Sequence, residues 1–485
     1  MHYPHIVHHG ATERVTGSCH QLYVDMHTSV LIDCGADHEV AGLPVLQVRP
    51  ATLRALIVTH VHNDHVGRLH ELLASGFKGP ILCSEASARL LPLVMEDVLK
   101  HTNTHEPAQI KRVLETIRRR IVALPFERWF MLVDTPNLQC RLRLQRAGHI
   151  LGSAYVEFDL QYPGAGQRVR LVFSGDLGAS HTPILRCARS PEHADILVLE
   201  STYGDRLHAD RTQRQARLEQ VIDQALENGG SVLLPAFSIG RTQELIYELE
   251  DILRRKALLS PVGVPQQRLD QRAPLDWAKL PVILDSPLAS RFTKVYRMFH
   301  ADWDAQARQR LEQGRTPLGF DQLITVDGHV QHMQIVNHLA GTARPAIVIA
   351  GHGMCSGGRI VNYLKAMLGD PRHHIVFVGY QAKGTPGHMI QAQERSKKPA
   401  QVELNGAFHD IRAGVTTVAG YSAHADQQGL VNFVTGMSQW PAQIRLVHGE
   451  RAAKAALGQA LLKVYQDNGK ALQLLIPGPP EPHPH

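Results

Sequence analysis

Short apolar runs punctuate the first two hundred residues. VLIDCG (30–35) and ALIVT (55–59) are apolar and β-branched, the pattern of buried strands. RLRLQ (141–145), YVEFDL (155–160), RLVFSGD (170–176) and ILVLE (196–200) read as further strands. HHGATERVTGSCHQLYVD (8–25) opens on Gly10, Gly17 and Ser18 in turn-like settings before an alternating strand. Residues 85–120 read as helical, and their basic end, KRVLETIRRR, has the pattern of a solvated helix face.

The pattern changes after about residue 206. A helix-like segment at 208–228 precedes SVLLPAFSIGRTQELIYELEDIL (231–253), a strand, a Gly/Ser turn and a helix. PVILDSPLA (281–289) and AIVIAGHGMCSGGRI (346–360) repeat that order, and IVFVGYQAKGTPG (375–387) adds a strand and a loop. Strands alternating with helices predict a parallel α/β unit of its own. Between them, 254–280 is rich in Pro, Gln and charge and predicts a long surface loop. Short strands return after about residue 395. YSAHADQQGLVNFV (421–434) then places Ser422 and His424 in a loop before a helix, and IRLVHGE (444–450) puts His448 at a strand end. The tail GPPEPHPH is expected to be disordered.

Composition narrows the class. A chain of 485 residues has room for two or three domains, and 44% hydrophobic with 20% charged residues is ordinary for a globular enzyme. The net charge of +6 weakly favours a polyanionic partner. Cys19, Cys34, Cys83, Cys140, Cys187 and Cys355 are widely spaced with no CxxC, which argues for reduced thiols rather than a disulfide framework. MHYPHIVHHG does not resemble a signal peptide, and no run approaches a membrane span. A soluble cytoplasmic protein without membrane contact is the expectation.

The chemistry concentrates in THVHNDHVG. His60, His62, Asp64 and His65 follow the strand 55–59 within six residues. On a helix, positions i and i+2 do not share a face; in an extended loop they do. His60 and His62 therefore converge as the chain leaves the strand, and Asp64 and His65 follow at the start of a helix. This suits two adjacent metal ions, for which His and carboxylate donors favour zinc, with iron or manganese as alternatives. Asp33, at the end of its strand, is placed to accept a hydrogen bond from a ligand loop and fix its orientation. His149, in AGHILGSA, sits among small residues, and Asp176 ends a strand where each carboxylate oxygen could bind one cation. Two such ions would lower the pKa of a bound water and clamp the attacking and leaving oxygens of a phosphodiester. Ser238, Ser422 and the amides of Gly357 and Gly358 are candidates for binding backbone phosphate.

GATERVTGSC, LIDCG, HVHNDH, GHILGS, FSGDLG, LESTYGDR, AFSIGRTQE, DSPLA, GMCSGGR, GYQAKGT, YSAHAD and VHGE occur in one order over nearly the whole chain. In that order they resemble the β-CASP branch of the metallo-β-lactamase superfamily. Its members include the J-type ribonucleases, the endonuclease subunit of the cleavage and polyadenylation specificity factor, and compact bacterial relatives. The resemblance implies an α/β fold, a metallo-β-lactamase αββα sandwich with an inserted β-CASP α/β domain. The expected spans are 1–205 and 395–485 for the sandwich and 206–394 for the insert, with nucleic acid in the cleft between them. It implies two zinc ions, one on His60, His62 and His149 and the other on Asp64, His65 and His448, bridged by Asp176. Asp64, Glu200 and His424 become the catalytic candidates, with His424 assisting the leaving group and Glu200 keeping it protonated. His352 and His388 match no ligand position.

The implied activity is zinc-dependent hydrolysis of single-stranded RNA, as endonuclease, 5′-3′ exonuclease or both, in RNA processing or decay. A small-molecule hydrolase would not need the insert. DNA-directed relatives typically replace the late histidine that VHGE retains, and silent scaffold relatives lose metal ligands that are present here. Neither the C-terminal domain by which J-type enzymes dimerise nor an N-terminal RNA-binding module is recognisable, so a homodimer stays open.

Overall fold

A computed structural model describes residues 3–37, 48, 50–102, 106–259, 275–396 and 398–478. Its contacts divide the chain into two compact units, Met1–Leu207 with Ala423–His485, and His208–Ser422.

The first unit is built on two sheets. Six strands, His5–His8, His20–Tyr23, Ser29–Ile32, Leu53–Ile57, Ile81–Ser84 and Ile121–Leu124, lie side by side in chain order. The first three pair antiparallel and the rest parallel. The second sheet has seven strands, in the order Gln473–Leu475, Gln443–Val447, Ile196–Glu200, Gln167–Phe173, Ala154–Tyr162, Gln139–Arg146 and Phe130–Asp134. One apolar core joins them: Leu22, Val30 and Ile57 of the first sheet pack with Leu142, Val156 and Phe158 of the second. Strand periodicity explains the split, because Cys140, Leu142 and Leu144 point to that core while Arg141 and Arg143 point away. On the outer face the guanidinium groups of Arg141 and Arg168 bond Asp159, and that of Arg143 bonds Glu157, which is how two carboxylates come to be buried in mid-strand. Helices cover both outer sides. Glu85–His101 lies beside the first sheet with Pro107–Arg120 packed against it, and Gln427–Thr435 and Arg451–Asp467 pack on Leu197, Leu199 and Leu446 of the second. This is the αββα sandwich.

The second unit is a six-stranded, wholly parallel sheet in the order Leu323–Thr325, Val282–Asp285, Ile347–Ala350, Val232–Pro235, His374–Phe377 and Gly414–Thr417. Its central strands are buried along their whole length, which suits a sheet covered by helices on both faces.

Three expectations change. The return to the sandwich comes at 422/423 instead of 394/395, because Gly414–Thr417 pairs in parallel with His374–Phe377 and the hairpin Gln401–Leu404/Ala407–Asp410 packs Val402 and Leu404 into the core of the second unit. Residues 254–259, expected to open a long loop, belong instead to the helix Arg241–Leu259, and 260–274 of that expected loop lie outside the described residues. The segment 85–120 is two helices, with 103–105 outside the described residues. Most of the tail, 479–485, is also outside them. No described helix is long and apolar enough to cross a membrane.

Candidate metal centre

The strand Leu53–Ile57 delivers the chain, through Val58 and Thr59, to His60 and His62 in extended backbone; a single helical turn, Asn63–Val66, then carries Asp64 and His65. Backbone bonds strap this turn to the end of the strand Ser29–Ile32. Cys34 N–H donates to His65 O at 2.8 Å, Ala36 N–H to Asn63 O at 3.1 Å and Ser18 N–H to Asp64 O at 2.8 Å. The approach is so close that a Cβ on Gly35 would stand 1.6 Å from Asp64 O.

Two donor sets form around the turn. His60, His62, His149 and Asp176 offer ligand atoms within 4.8 Å of one another, and so do Asp64, His65, Asp176 and His448. In the first, His62 Nδ1 lies 3.1 Å from both His60 Nε2 and His149 Nε2. In the second, His65 Nε2 lies 3.2 Å from His448 Nε2, which is 3.4 Å from Asp64 Oδ2. Asp176 divides its oxygens between them. Oδ2 is 3.5 Å from His60 Nε2, and Oδ1 is 3.3 Å from His65 Nε2.

The site fits cations. Asp176 Oδ1 is buried and has no hydrogen-bond partner among the described residues, although a lone buried carboxylate oxygen is costly. Burial pushes His60, His62 and His149 below the ordinary imidazole pKa, His62 to about 4, which keeps them neutral with lone pairs free for a metal. Burial also opposes charge on His65, but the carboxylates of Asp176, Asp33 and Asp64 outweigh it and raise this imidazole. Asp33 holds His65 in place. Its Oδ2 is 2.7 Å from His65 Nδ1, and it accepts from Thr59 N–H and Thr59 O–H, each at 2.8 Å. His65 therefore turns Nε2 toward the second donor set.

Three family models match this chain: the metallo-beta-lactamase superfamily over 17–186, the Beta-Casp domain over 242–390 and the Zn-dependent metallo-hydrolase RNA specificity domain over 409–470. The chain is similar to Ribonuclease TTHA0252 of Thermus thermophilus, with 32% identity over 461 residues, 94% of this chain and 95% of that protein. It is 30% identical to the transcription termination factor FttA of Methanothermobacter thermautotrophicus over 475 residues, 94% of this chain and 69% of the other. It is 27% identical to an RNase J-like protein of Methanocaldococcus jannaschii over 465 residues, 94% of both. The chain belongs to the β-CASP branch of the metallo-β-lactamase superfamily.

In this β-CASP chain a third group adjoins the metal residues. Glu200 closes the strand Ile196–Glu200; its Oε1 accepts from Leu177 N–H at 2.7 Å and its Oε2 from Thr202 O–H at 2.6 Å. His424 Nδ1 stands 3.1 Å from Oε2, leaving Nε2 3.8 Å from Asp176 Oδ2. Burial opposes a charge on His424, yet Glu200 and Asp176 outweigh it and raise its pKa to about 9. The His424 loop is sewn to the loop after Asp176, since Ala179 N–H donates to Ala423 O at 3.0 Å and Ala425 N–H to Leu177 O at 2.8 Å. Gly178 is needed there, because a Cβ would meet Gly148 O at 2.0 Å.

Every residue of these three groups comes from the first unit. The phosphate-binding candidates belong to the second. Ser238 follows the strand Val232–Pro235 with its hydroxyl 3.3 Å from that of Ser286, Gly357 and Gly358 precede the helix Ile360–Met367, and the Ser422 carbonyl accepts from Arg211 at 2.7 Å. His352 and His388 also lie in the second unit, outside all three groups. Sequence reasoning missed Thr202, whose hydroxyl donates to Glu200 and stands 3.2 Å from His448 Nδ1, and Thr59, which ties Asp33 to the metal loop. Each lies immediately before His60 or two residues after Glu200, a signal that position alone could have raised.

Proposed function

We propose that this chain is a zinc-dependent ribonuclease that hydrolyses the phosphodiester bonds of single-stranded RNA. The observation that carries the reading is Asp176 shared between two donor sets, with the Glu200–His424 pair beside it. His60, His62 and His149 would hold one ion, Asp64, His65 and His448 the other, and Asp176 both. Bound there, two zinc ions supply a water of lowered pKa and positive charge at the attacking and leaving oxygens.

The residues account for the remainder. Asp33 orients His65. Glu200 accepts at His424 Nδ1 and keeps the ring charged, so that Nε2 carries the proton to be given up. As water oxygen joins phosphorus, the bond from phosphorus to O3′ breaks, and His424 Nε2 protonates that oxygen. The products are a 3′-hydroxyl and a 5′-phosphate. Asp64 serves the reaction by fixing the second donor set, and Ser238, Ser422 and the Gly357 and Gly358 amides bind backbone phosphate. The 2′-hydroxyl takes no part in this chemistry, so the preference for RNA rests on binding.

Metal analysis of the purified protein, with matched time courses on labelled single-stranded RNA, single-stranded DNA and a simple ester, tests the reading. About two zinc ions per chain and a marked preference for RNA are expected. Equal DNA cleavage would make this a DNA-directed member of the branch, and ester turnover alone would make it a small-molecule hydrolase.

A further inference from the structure

Three loops leave the carboxyl edge of the parallel sheet in the second unit: 236–240 after Val232–Pro235, 351–359 after Ile347–Ala350 and 378–385, before the helix Pro386–Ala392, after His374–Phe377. The first of these strands lies between the other two, so the loops spring from adjacent positions. Open parallel sheets bind ligands outside this edge. Two aromatic side chains are exposed on these loops, Phe237 at 45% and Tyr380 at 57%, whereas Tyr247, Phe292, Tyr296, Trp303 and Tyr363 of the same unit are buried. Exposed aromatic rings on a ligand-binding edge call for a partner with a flat apolar face.

The rings stand on fixed backbone. Thr242 O–H donates to Phe237 O at 2.8 Å, and Gln243 Nε2 donates to Ser238 O at 3.1 Å. Gly353 is fitted to the Phe237 ring, since a Cβ there would lie 2.9 Å from its edge, and the His352 ring meets Phe237 edge-on at 5.7 Å. Gln381, next to Tyr380, donates to Gly353 O at 3.1 Å, and Gly387 N–H donates to Met354 O at 3.1 Å. The loops bearing the two aromatics are therefore joined through 353–354. Arg241 and Arg359, at the ends of two of these segments, pair with Glu244 and Asp285, whereas AFSIG, GHGMCSGG and GYQAKGT themselves contain no Asp or Glu, and Lys383 is exposed three residues after Tyr380.

We propose that Phe237 and Tyr380 are stacking platforms for unpaired RNA bases, with Lys383 adding positive charge for the phosphates. Every base offers a π face, so such platforms hold a strand with little regard to sequence, and the faces are free only where the strand is unpaired. The proposal rests on the ribonuclease reading and deepens it by giving the single-strand preference a physical origin.

The test uses the full zinc-loaded chain and two fluorescein-labelled oligoribonucleotides of one length and charge, one bearing bases throughout and one with abasic residues. Binding is read by stopped-flow anisotropy before cleavage accumulates. The wild type should bind the base-bearing strand more tightly. Phe237→Ala and Tyr380→Ala should each weaken that binding roughly 5- to 150-fold and bring the ratio between the two strands toward one. Tyr380→Phe should restore the ratio. Tyr380→Leu, which keeps apolar bulk without a π face, should behave like Tyr380→Ala and guards against a misfolded variant. Phe408→Ala, an exposed ring on the hairpin Gln401–Leu404/Ala407–Asp410, should match the wild type. A wild type that does not distinguish the strands, or a Phe237→Ala/Tyr380→Ala double variant that keeps the full ratio, overturns the proposal. Cleavage is scored separately: base-dependent binding without cleavage would sink the ribonuclease reading and leave the platforms standing.

Discussion

Replacing His424 by alanine separates proton donation from metal binding. The ring accounts for the contacts at 3.1 and 3.3 Å to the two oxygens of Glu200, and it belongs to neither four-residue donor set. Its removal does not strand Glu200, which still accepts from Leu177 N–H and Thr202 O–H. The variant should therefore fold and retain both zinc ions. Loss of one positioned acid slows the chemical step by roughly 10²–10⁴-fold, about 3–5 kcal/mol of transition-state stabilisation. Glu200→Gln should slow the same step, and the double variant should be little worse than the poorer single one, because the pair acts as a unit. Single-turnover cleavage of RNA measures the step, with bis(4-nitrophenyl) phosphate as the control. A nitrophenolate leaves without needing a proton, so His424→Ala should lose far less activity on that substrate than on RNA. An equal loss on both, or loss of zinc, would refute the assignment of His424 as the acid.

Other outcomes follow from the same geometry. Chelation should abolish RNA cleavage and zinc should restore it; His448→Ala should bind about one ion fewer than the wild type, and an unchanged metal content would count against two sites. Gly35→Ala forces a Cβ to 1.6 Å from Asp64 O, so it should destabilise the fold by about 3 kcal/mol or more and lower metal content with it, read by thermal denaturation and metal analysis; a normal melting temperature would mean that the strap between the two loops yields easily. Burial opposes the charge of Asp159, but Arg168 and Arg141 outweigh it and hold the carboxyl at about 2. A depressed folded pKa gives stability that is present above the unfolded value near 4 and lost as pH falls from about 4 to 2. Asp159→Asn should flatten the acid-unfolding profile in that window, by no more than about 2 kcal/mol, and an unchanged slope would remove Asp159 from the acid transition.

What the sequence determined by itself is local. The run HVHNDH after an apolar strand dictates that His60 and His62 leave on one side in extended backbone and that Asp64 and His65 follow on a helical turn, because side-chain direction over a few residues is set by backbone periodicity. The order of the motifs identified the branch, and the alternation of strand-like and helix-like segments marked the parallel unit. Tertiary structure decided the rest. His62 meets His149 across 87 positions and His65 meets His448 across 383, separations over which periodicity carries no information. That Asp176 turns one oxygen to each donor set, and that Thr202 reaches both Glu200 and His448, depends on how strands from distant parts of the chain end side by side. The boundary at 422/423 has the same cause. Gly414–Thr417 is a four-residue strand whose allegiance is fixed by pairing with His374–Phe377, forty residues earlier, and its sequence holds no trace of that partner.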